Sequence, residues 1–104
     1  MKQIDRIREM ERCLDLTEEA VKKLTEALDV YEKNQKAIKK LFDYYGSTLW
    51  MKDYEDDEAG KLPKDLKRGV LSEDAVYDMI TDHREAVLCM TRIITKAVEG
   101  KMLL

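Results

Sequence analysis

The fold is decided by residues 3–45, QIDRIREMERCLDLTEEAVKKLTEALDVYEKNQKAIKKLFDYY, which contain neither glycine nor proline. Apolar residues recur along this stretch at alternating steps of three and four, the spacing of heptad positions a and d. Two polar residues, Thr17 and Gln35, interrupt this series, which we call the apolar stripe. Its members are Ile7, Met10, Leu14, Thr17, Val21, Leu24, Leu28, Tyr31, Gln35, Ile38, Phe42 and Tyr45. The pattern predicts one long helix over residues 1–46, ended by Gly46.

The neighbouring g column of this helix is also small or apolar, with Cys13, Ala20, Ala27 and Leu41. A face of three columns is broader than the seam of a two-stranded coiled coil and is typical of a helical bundle. An alternative is a break near residues 15–17, because Thr17 could cap a second helix.

A second helix is predicted over residues 72–99. Ser72 is a suitable N-cap, and Glu73 and Asp74 place negative charge at the positive end of the helix dipole. Between the two long helices, residues 47–71 read as a linker of short helices. Ser47 could cap the first of these, ending near Ala59, and residues 64–68 form another turn between a proline and a glycine.

The predicted fold is all-α, a long helical hairpin of first helix, helical linker and antiparallel second helix in one domain, residues 1–104. An antiparallel register in which facing residue numbers sum to about 118 places Gln35 opposite His83, so these two are expected to form a buried polar layer. Two helices cannot cover a three-column face, which predicts self-association into a bundle, most simply as a homodimer. The competing alternative is that the linker segment packs over the stripe.

Composition excludes several classes of protein. A net charge of −3 and a pI near 5.3 argue against nucleic-acid binding, which needs a basic surface. No stretch approaches the ~20 apolar residues of a membrane span, and no apolar signal segment follows the start. Two distant cysteines, Cys13 and Cys89, suit a reducing compartment. We therefore expect a cytoplasmic protein with no membrane partner.

Candidate chemistry is sparse. Residues 53–58 are acidic except for Tyr54, but the EF-hand template fails because Glu58 stands where glycine is needed and Lys64 where the closing glutamate is needed. The run reads as a solvated stretch balanced by nearby lysines and Arg68, with weak divalent binding as the alternative. His83 is the single histidine, and no nucleophile is paired with it. No catalytic residue, metal ligand or cofactor is expected.

Residues 44–80 concentrate the aromatic and glycine residues. A structural interpretation makes them a cap on the hairpin, with Trp50 and Leu66 as plugs. A functional interpretation makes them a binding surface, because exposed aromatic and arginine side chains anchor interfaces. The candidate surface comprises Tyr45, Trp50, Asp53, Tyr54, Glu58, Lys67 and Arg68.

The same segment carries a specific pattern: YYGS at 44–47, Trp50, DYE at 53–55, GKLP at 60–63 and LKRGVLSED at 66–74. It resembles a family of small bacterial proteins known as domain of unknown function 4298. The resemblance implies a small bacterial cytosolic protein and brings no activity, cofactor or catalytic residue. The most economical function is then a protein–protein interaction or adaptor module with an unidentified protein partner. The alternative is a small-ligand or divalent-metal-dependent enzyme that uses the acidic run and Lys67 and Arg68.

Overall fold

The structure is a computed structural model that describes residues 2–103. Within this range the chain is helical and has no strand. Three α-helices, α1 (Gln3–Tyr44), α2 (Thr48–Glu58) and α3 (Ala75–Glu99), are joined by short connections, one of which contains a 3-10 helix, Gly69–Leu71. The all-α class and the order of long helix, linker and second helix are therefore confirmed.

Helix α1 runs without interruption for 42 residues. The alternative break near Thr17 is wrong: the Thr17 hydroxyl donates to the carbonyl of Cys13 at 2.8 Å, one turn back in the same helix, and so does not cap a new one. The helix ends where predicted, because Gly46 adopts a left-handed φ of 78° that residues with a Cβ rarely tolerate.

Helix α2 begins at a well-formed cap. Ser47 is extended (φ −72°, ψ 168°), and its hydroxyl accepts from the backbone N–H of Trp50 at 3.2 Å. The helix ends at Glu58, and Gly60 follows with a φ of 72°. Both ends agree with the prediction, because serine and glycine supply the two geometries that helix termini need.

The second half of the linker differs from the prediction. Residues 64–68 form no helix; they contain a turn in which Leu66 N–H donates to the carbonyl of Pro63 at 3.2 Å. The helical turn lies later, at Gly69–Leu71. Leu66 is 49% exposed and is not a plug, whereas Leu71 is 6% exposed. The leucine that the linker buries is therefore the one in the 3-10 helix, and the prediction for Leu66 is wrong.

Helix α3 starts three residues later than predicted, at Ala75. Ser72 is extended and its hydroxyl accepts from the N–H groups of Asp74 and Ala75, at 3.3 and 3.4 Å. The serine still satisfies donors at the start of the helix, but from a turn that precedes it. The end at Glu99, before Gly100, agrees with the prediction.

The chain divides into two compact units, Met1–Ile38 and Lys39–Leu104, which are described separately. The first unit is helical from Gln3 onward and buries none of its described residues. The second contains the buried apolar residues Trp50, Leu71 and Val76, with exposures of 8%, 6% and 4%. The prediction of a single domain stays a prediction.

Candidate functional site

Trp50 is the centre of the second unit. Its indole N–H donates to the carbonyl of Val70 at 2.8 Å, so the single polar atom of the buried ring is satisfied. Tyr45 meets the indole edge-on at 5.0 Å between ring centroids, and Tyr54 stacks on it at 5.3 Å. We call Tyr45, Trp50 and Tyr54 the aromatic cluster. Trp50 is therefore buried within the second unit, as the structural interpretation expected; its role as a plug stays a prediction.

The two tyrosines of the aromatic cluster are both tied to Glu73. The Tyr45 hydroxyl donates to the Glu73 backbone carbonyl at 3.2 Å, and the Tyr54 hydroxyl donates to its carboxylate at 2.8 Å. The hydrogen bond to Glu73 raises the pKa of Tyr54, with burial and the charges of Glu73, Glu58 and Asp57 adding to the shift. Glu73 thus links α2 to the turn before α3.

A third tyrosine, Tyr44, also forms a hydrogen bond to α2. The Tyr44 hydroxyl donates to the carboxylate of Asp53 at 2.5 Å, a short hydrogen bond to a charged acceptor. Burial raises the pKa of Tyr44 to about 12, and the hydrogen bond to Asp53 and its negative charge act in the same direction. This contact joins the last residue of α1 to α2.

Two of the four charged residues of the candidate surface, Asp53 and Arg68, are engaged within the chain. Arg68 donates to Asp57 at 2.8 Å, with both side chains only about a quarter to a third exposed, 32% and 22%. Asp56 accepts from Lys52 at 3.3 Å and lies 4.0 Å from Lys61. The acidic run is thus partly neutralised by neighbours, as its solvated interpretation predicted.

Glu58 and Lys67 differ from the other charged residues of the candidate surface. Both are exposed, Glu58 at the last position of α2 and Lys67 in the irregular segment before the 3-10 helix. Lys67 lies at an open apolar cleft of about 530 Å³. The cleft is lined by Leu41, Lys67, Gly69, Val70, Ala75, Val76 and Met79. The seven residues of the candidate surface are therefore the aromatic cluster, of which only Trp50 is buried, and four charged residues, of which Asp53 and Arg68 have partners.

The enzyme alternative gains no support from these contacts. Among residues 2–103, no group of three or more His, Cys, Asp or Glu side chains is placed to hold a metal ion together. Asp53, Asp57 and Arg68 make structural contacts inside the second unit. Whether the chain carries any activity stays untested.

The polar layer of Gln35 and His83 also stays a prediction. Gln35 is exposed in the chain, and His83 is half-buried with its ring edge-on to Phe42 at 5.3 Å between centroids. Within residues 2–103 no polar side chain is classed as buried. A buried layer that contains Gln35 therefore needs an additional neighbour to cover it.

The first unit presents a continuous exposed apolar face. Seven apolar residues of its heptad pattern and its flanks are 47–63% exposed: Ile4, Ile7, Met10, Leu14, Val21, Leu24 and Leu28. Leu16 and Val30, at position c of the heptad, are 60% and 61% exposed. Contiguous apolar surface of this kind is typical of an interaction site, whereas scattered exposed leucines need no explanation.

Sequence reasoning missed the partners of the motif residues. It assigned Glu73 to the helix dipole, but the structure makes it the acceptor for two tyrosines, and it did not connect Tyr44 with Asp53 or Trp50 with Val70. The signal was present, because all of these residues lie in one motif-rich segment. Residue types alone could not show which donor meets which acceptor across up to 28 positions of chain.

The fold and this linker define a small all-helical protein whose specific motif residues hold two helices and a turn together. The chain belongs to the family described as Domain of unknown function (DUF4298), which it matches over residues 7–93. The resemblance noted from the linker motif is confirmed by this match. No curated protein and no solved structure matches the chain. None of the helices in residues 2–103 is long and apolar enough to cross a membrane.

Proposed function

We propose that this protein is a helical protein–protein interaction module that self-associates through the apolar stripe of α1. The observation that carries the proposal is the exposure of that stripe: Leu14, Val21, Leu24 and Leu28 are 47–58% exposed along one face of an unbroken helix. In proteins, a helix gains most of its stability from packing its apolar face against a neighbour. A second copy of the same helix offers the matching surface.

The linker supports the proposal by contrast. Its motif residues satisfy one another within the chain, with Trp50 buried and bonded to Val70 and with Arg68 paired to Asp57. The exposed apolar stripe of α1, in contrast, supplies the surface on which a partner would bind. Any further protein partner would reach the same stripe or the open cleft beside Lys67.

The test is sedimentation equilibrium at micromolar concentration, which we expect to give about twice the 12.2 kDa of one chain. Leu14→Glu places a charge at position a of the stripe and is expected to shift the mass toward that of one chain. The matched control is Leu16→Glu, the same substitution two residues away at position c, off the a/d seam. The control should keep the wild-type mass.

A monomer at this concentration would contradict self-association. Equal loss of mass in Leu14→Glu and Leu16→Glu would show that the stripe is not the surface, because both variants carry the same change in charge and volume. Circular dichroism of both variants checks that α1 remains helical.

A further inference from the structure

We propose that two copies of the chain pair through α1 in an antiparallel arrangement, with the twofold axis between the helices at the level of Glu26. In this register the numbers of facing residues sum to 52. The inference rests on the proposed self-association and specifies the orientation and register of the two helices. It uses the segment from Leu14 to Ile38, which lies inside the first unit.

The polar interruptions of the stripe carry the register. Thr17 and Gln35 lie nine residues on either side of Glu26, so each faces the other residue of the second copy. In an antiparallel coiled coil, position a packs against position d, which these two residues occupy. The apolar residues then face apolar residues in the same register, as Leu14 with Ile38, Val21 with Tyr31, and Leu24 with Leu28.

Registers one heptad away lose this match. Where the facing numbers sum to 45, Thr17 faces Leu28 and Gln35 faces Met10; where they sum to 59, Thr17 faces Phe42 and Gln35 faces Leu24. Each places a polar group against an apolar one. A buried amide without a polar neighbour costs free energy, so a single polar position in a seam selects register.

The flanking charges select the same register. Antiparallel pairing brings position b of one helix beside position e of the other. Side chains lean toward the N-terminus of their own helix. The residue numbers of b–e partners therefore sum to about 54, two more than the sum of 52 for the facing a–d pairs. Lys22 then lies beside Glu32 of the second copy, and Lys36 beside Glu18. These contacts offset the repulsion between Glu18 and Glu32, which face each other at position e.

None of the four charges of these contacts forms an ion pair among residues 2–103. The ion pairs of α1 among the described residues are Glu19–Lys23, Asp29–Lys33 and Lys39–Asp43, none of which involves Lys22, Lys36, Glu18 or Glu32. In the register that sums to 45, by contrast, Asp15 meets Glu32 and Asp29 meets Glu18, which are like charges.

A parallel pair would form fewer favourable charge contacts between the two helices. Parallel helices bring position e beside position g, and the g column of Cys13, Ala20, Ala27, Asn34 and Leu41 carries no charge. Glu18 and Glu32 would then gain no opposite charge. In the antiparallel pair the alanines meet instead, Ala27 beside Ala27 of the second copy, and small residues there let the helices approach closely.

The decisive measurement is the distance between spin labels on the two copies, by double electron–electron resonance. A Cys13→Ser, Cys89→Ser background receives Glu26→Cys or Arg12→Cys, both at the outward position f. With a rise of about 1.5 Å per residue, the two labels at position 12 are expected about 42 Å apart along the axis, and those at position 26 at about the same level. Sedimentation of the labelled proteins is measured first.

The outcomes separate this inference from the proposed function. A dimer with a much longer distance at position 12 than at position 26 supports both. A dimer with equal distances at the two positions is parallel and overturns the register, while self-association stands. At position 12, a label distance of about 32 Å along the axis would identify the register that sums to 45. A monomer overturns both.

A charge exchange provides the matched functional test. Lys22→Glu and Glu32→Lys each create a like-charge pair with the second copy, so each is expected to raise the dimer dissociation constant several-fold at low salt. The variant carrying both changes restores opposite charges and should recover most of the wild-type affinity. Lys40→Glu is the control, with the same charge change at outward position f. Failure of the double variant to recover would contradict the predicted contact.

Discussion

Residues 2–38 and residues 39–103 are stabilised by different interactions. The first unit is a lone stretch of helix that buries no described side chain and is held by backbone hydrogen bonds and exposed ion pairs such as Asp29–Lys33. The second has a small core of Trp50, Leu71 and Val76 and a set of side-chain hydrogen bonds around it. One chain thus combines a unit with its own small core and a helical stretch whose apolar side chains remain exposed.

The largest expected effect is the removal of Trp50. Trp50→Ala should lower the free energy of unfolding by roughly 3–5 kcal/mol, because it deletes the buried indole and leaves the Val70 carbonyl without its donor. Chemical denaturation followed by circular dichroism measures the change. An unchanged melt together with lost partner capture would show that Trp50 is an interface anchor instead of a plug.

A matched leucine pair sharpens the comparison. Leu71→Ala, in the second unit, is expected to cost about 2–5 kcal/mol because Leu71 is 6% exposed. Leu28→Ala, in the first unit, changes a side chain that is 47% exposed, and under dilute conditions should cost within about 0.5 kcal/mol.

The difference between the two leucines should depend on concentration. As the protein associates, the Leu28→Ala effect should grow, since the second copy buries that position, while the Leu71→Ala effect should stay constant. Melts over a hundredfold range of protein concentration provide the measurement. A Leu28→Ala effect as large as that of Leu71→Ala in the dilute sample would remove the contrast between the units.

The ion pair between Arg68 and Asp57 is expected to contribute less. Both side chains are partly exposed, so solvent screens the pair, and Arg68→Ala should cost about 1 kcal/mol. A double-mutant cycle with Asp57→Ala isolates the coupling of the pair. Lys61→Ala, whose ammonium lies 4.0 Å from Asp56 and whose side chain is 71% exposed, is the control and should have a smaller effect.

The smallest effect is expected at high pH. The pKa of Tyr44 is raised from 10.0 to about 12 in the folded chain, so folding favours the protonated phenol. Its contribution is present in full below pH 10 and is lost as the pH rises from 10 to 12. The stability difference between wild type and Tyr44→Phe should therefore shrink across that window. Absorbance of tyrosinate near 295 nm follows the ionisation; the ordinary pKa at Tyr44 would contradict the prediction.

Local signals were sufficient for the helices. The absence of glycine and proline from residues 3–45, Ser47 as a cap, and Gly46 and Gly60 as terminators predicted α1 and α2 to within two residues. Each of these features acts over one turn of chain, so the sequence contains the whole interaction. The start of α3 was misplaced because Ser72 satisfies the same donors from a turn outside the helix.

The candidate surface was predicted less completely. The sequence predicted Trp50 as a buried residue, which the structure shows, but it made Leu66 a plug where the structure buries Leu71. The two leucines stand five positions apart in a segment without helical periodicity, where no pattern says which one faces the core. No pattern in the sequence indicated that Glu73 and Asp53 accept hydrogen bonds from tyrosine hydroxyls.

The sequence by itself determined the helical class, the length of α1, its apolar stripe and the caps of α2, because helix periodicity and capping are set by residues within about one turn. The tertiary structure alone decided which donors and acceptors meet. It paired Tyr44 with Asp53, Trp50 with Val70, and Arg68 with Asp57. Such contacts join positions 9 to 20 residues apart, and their geometry exists only after residues 47–71 have folded.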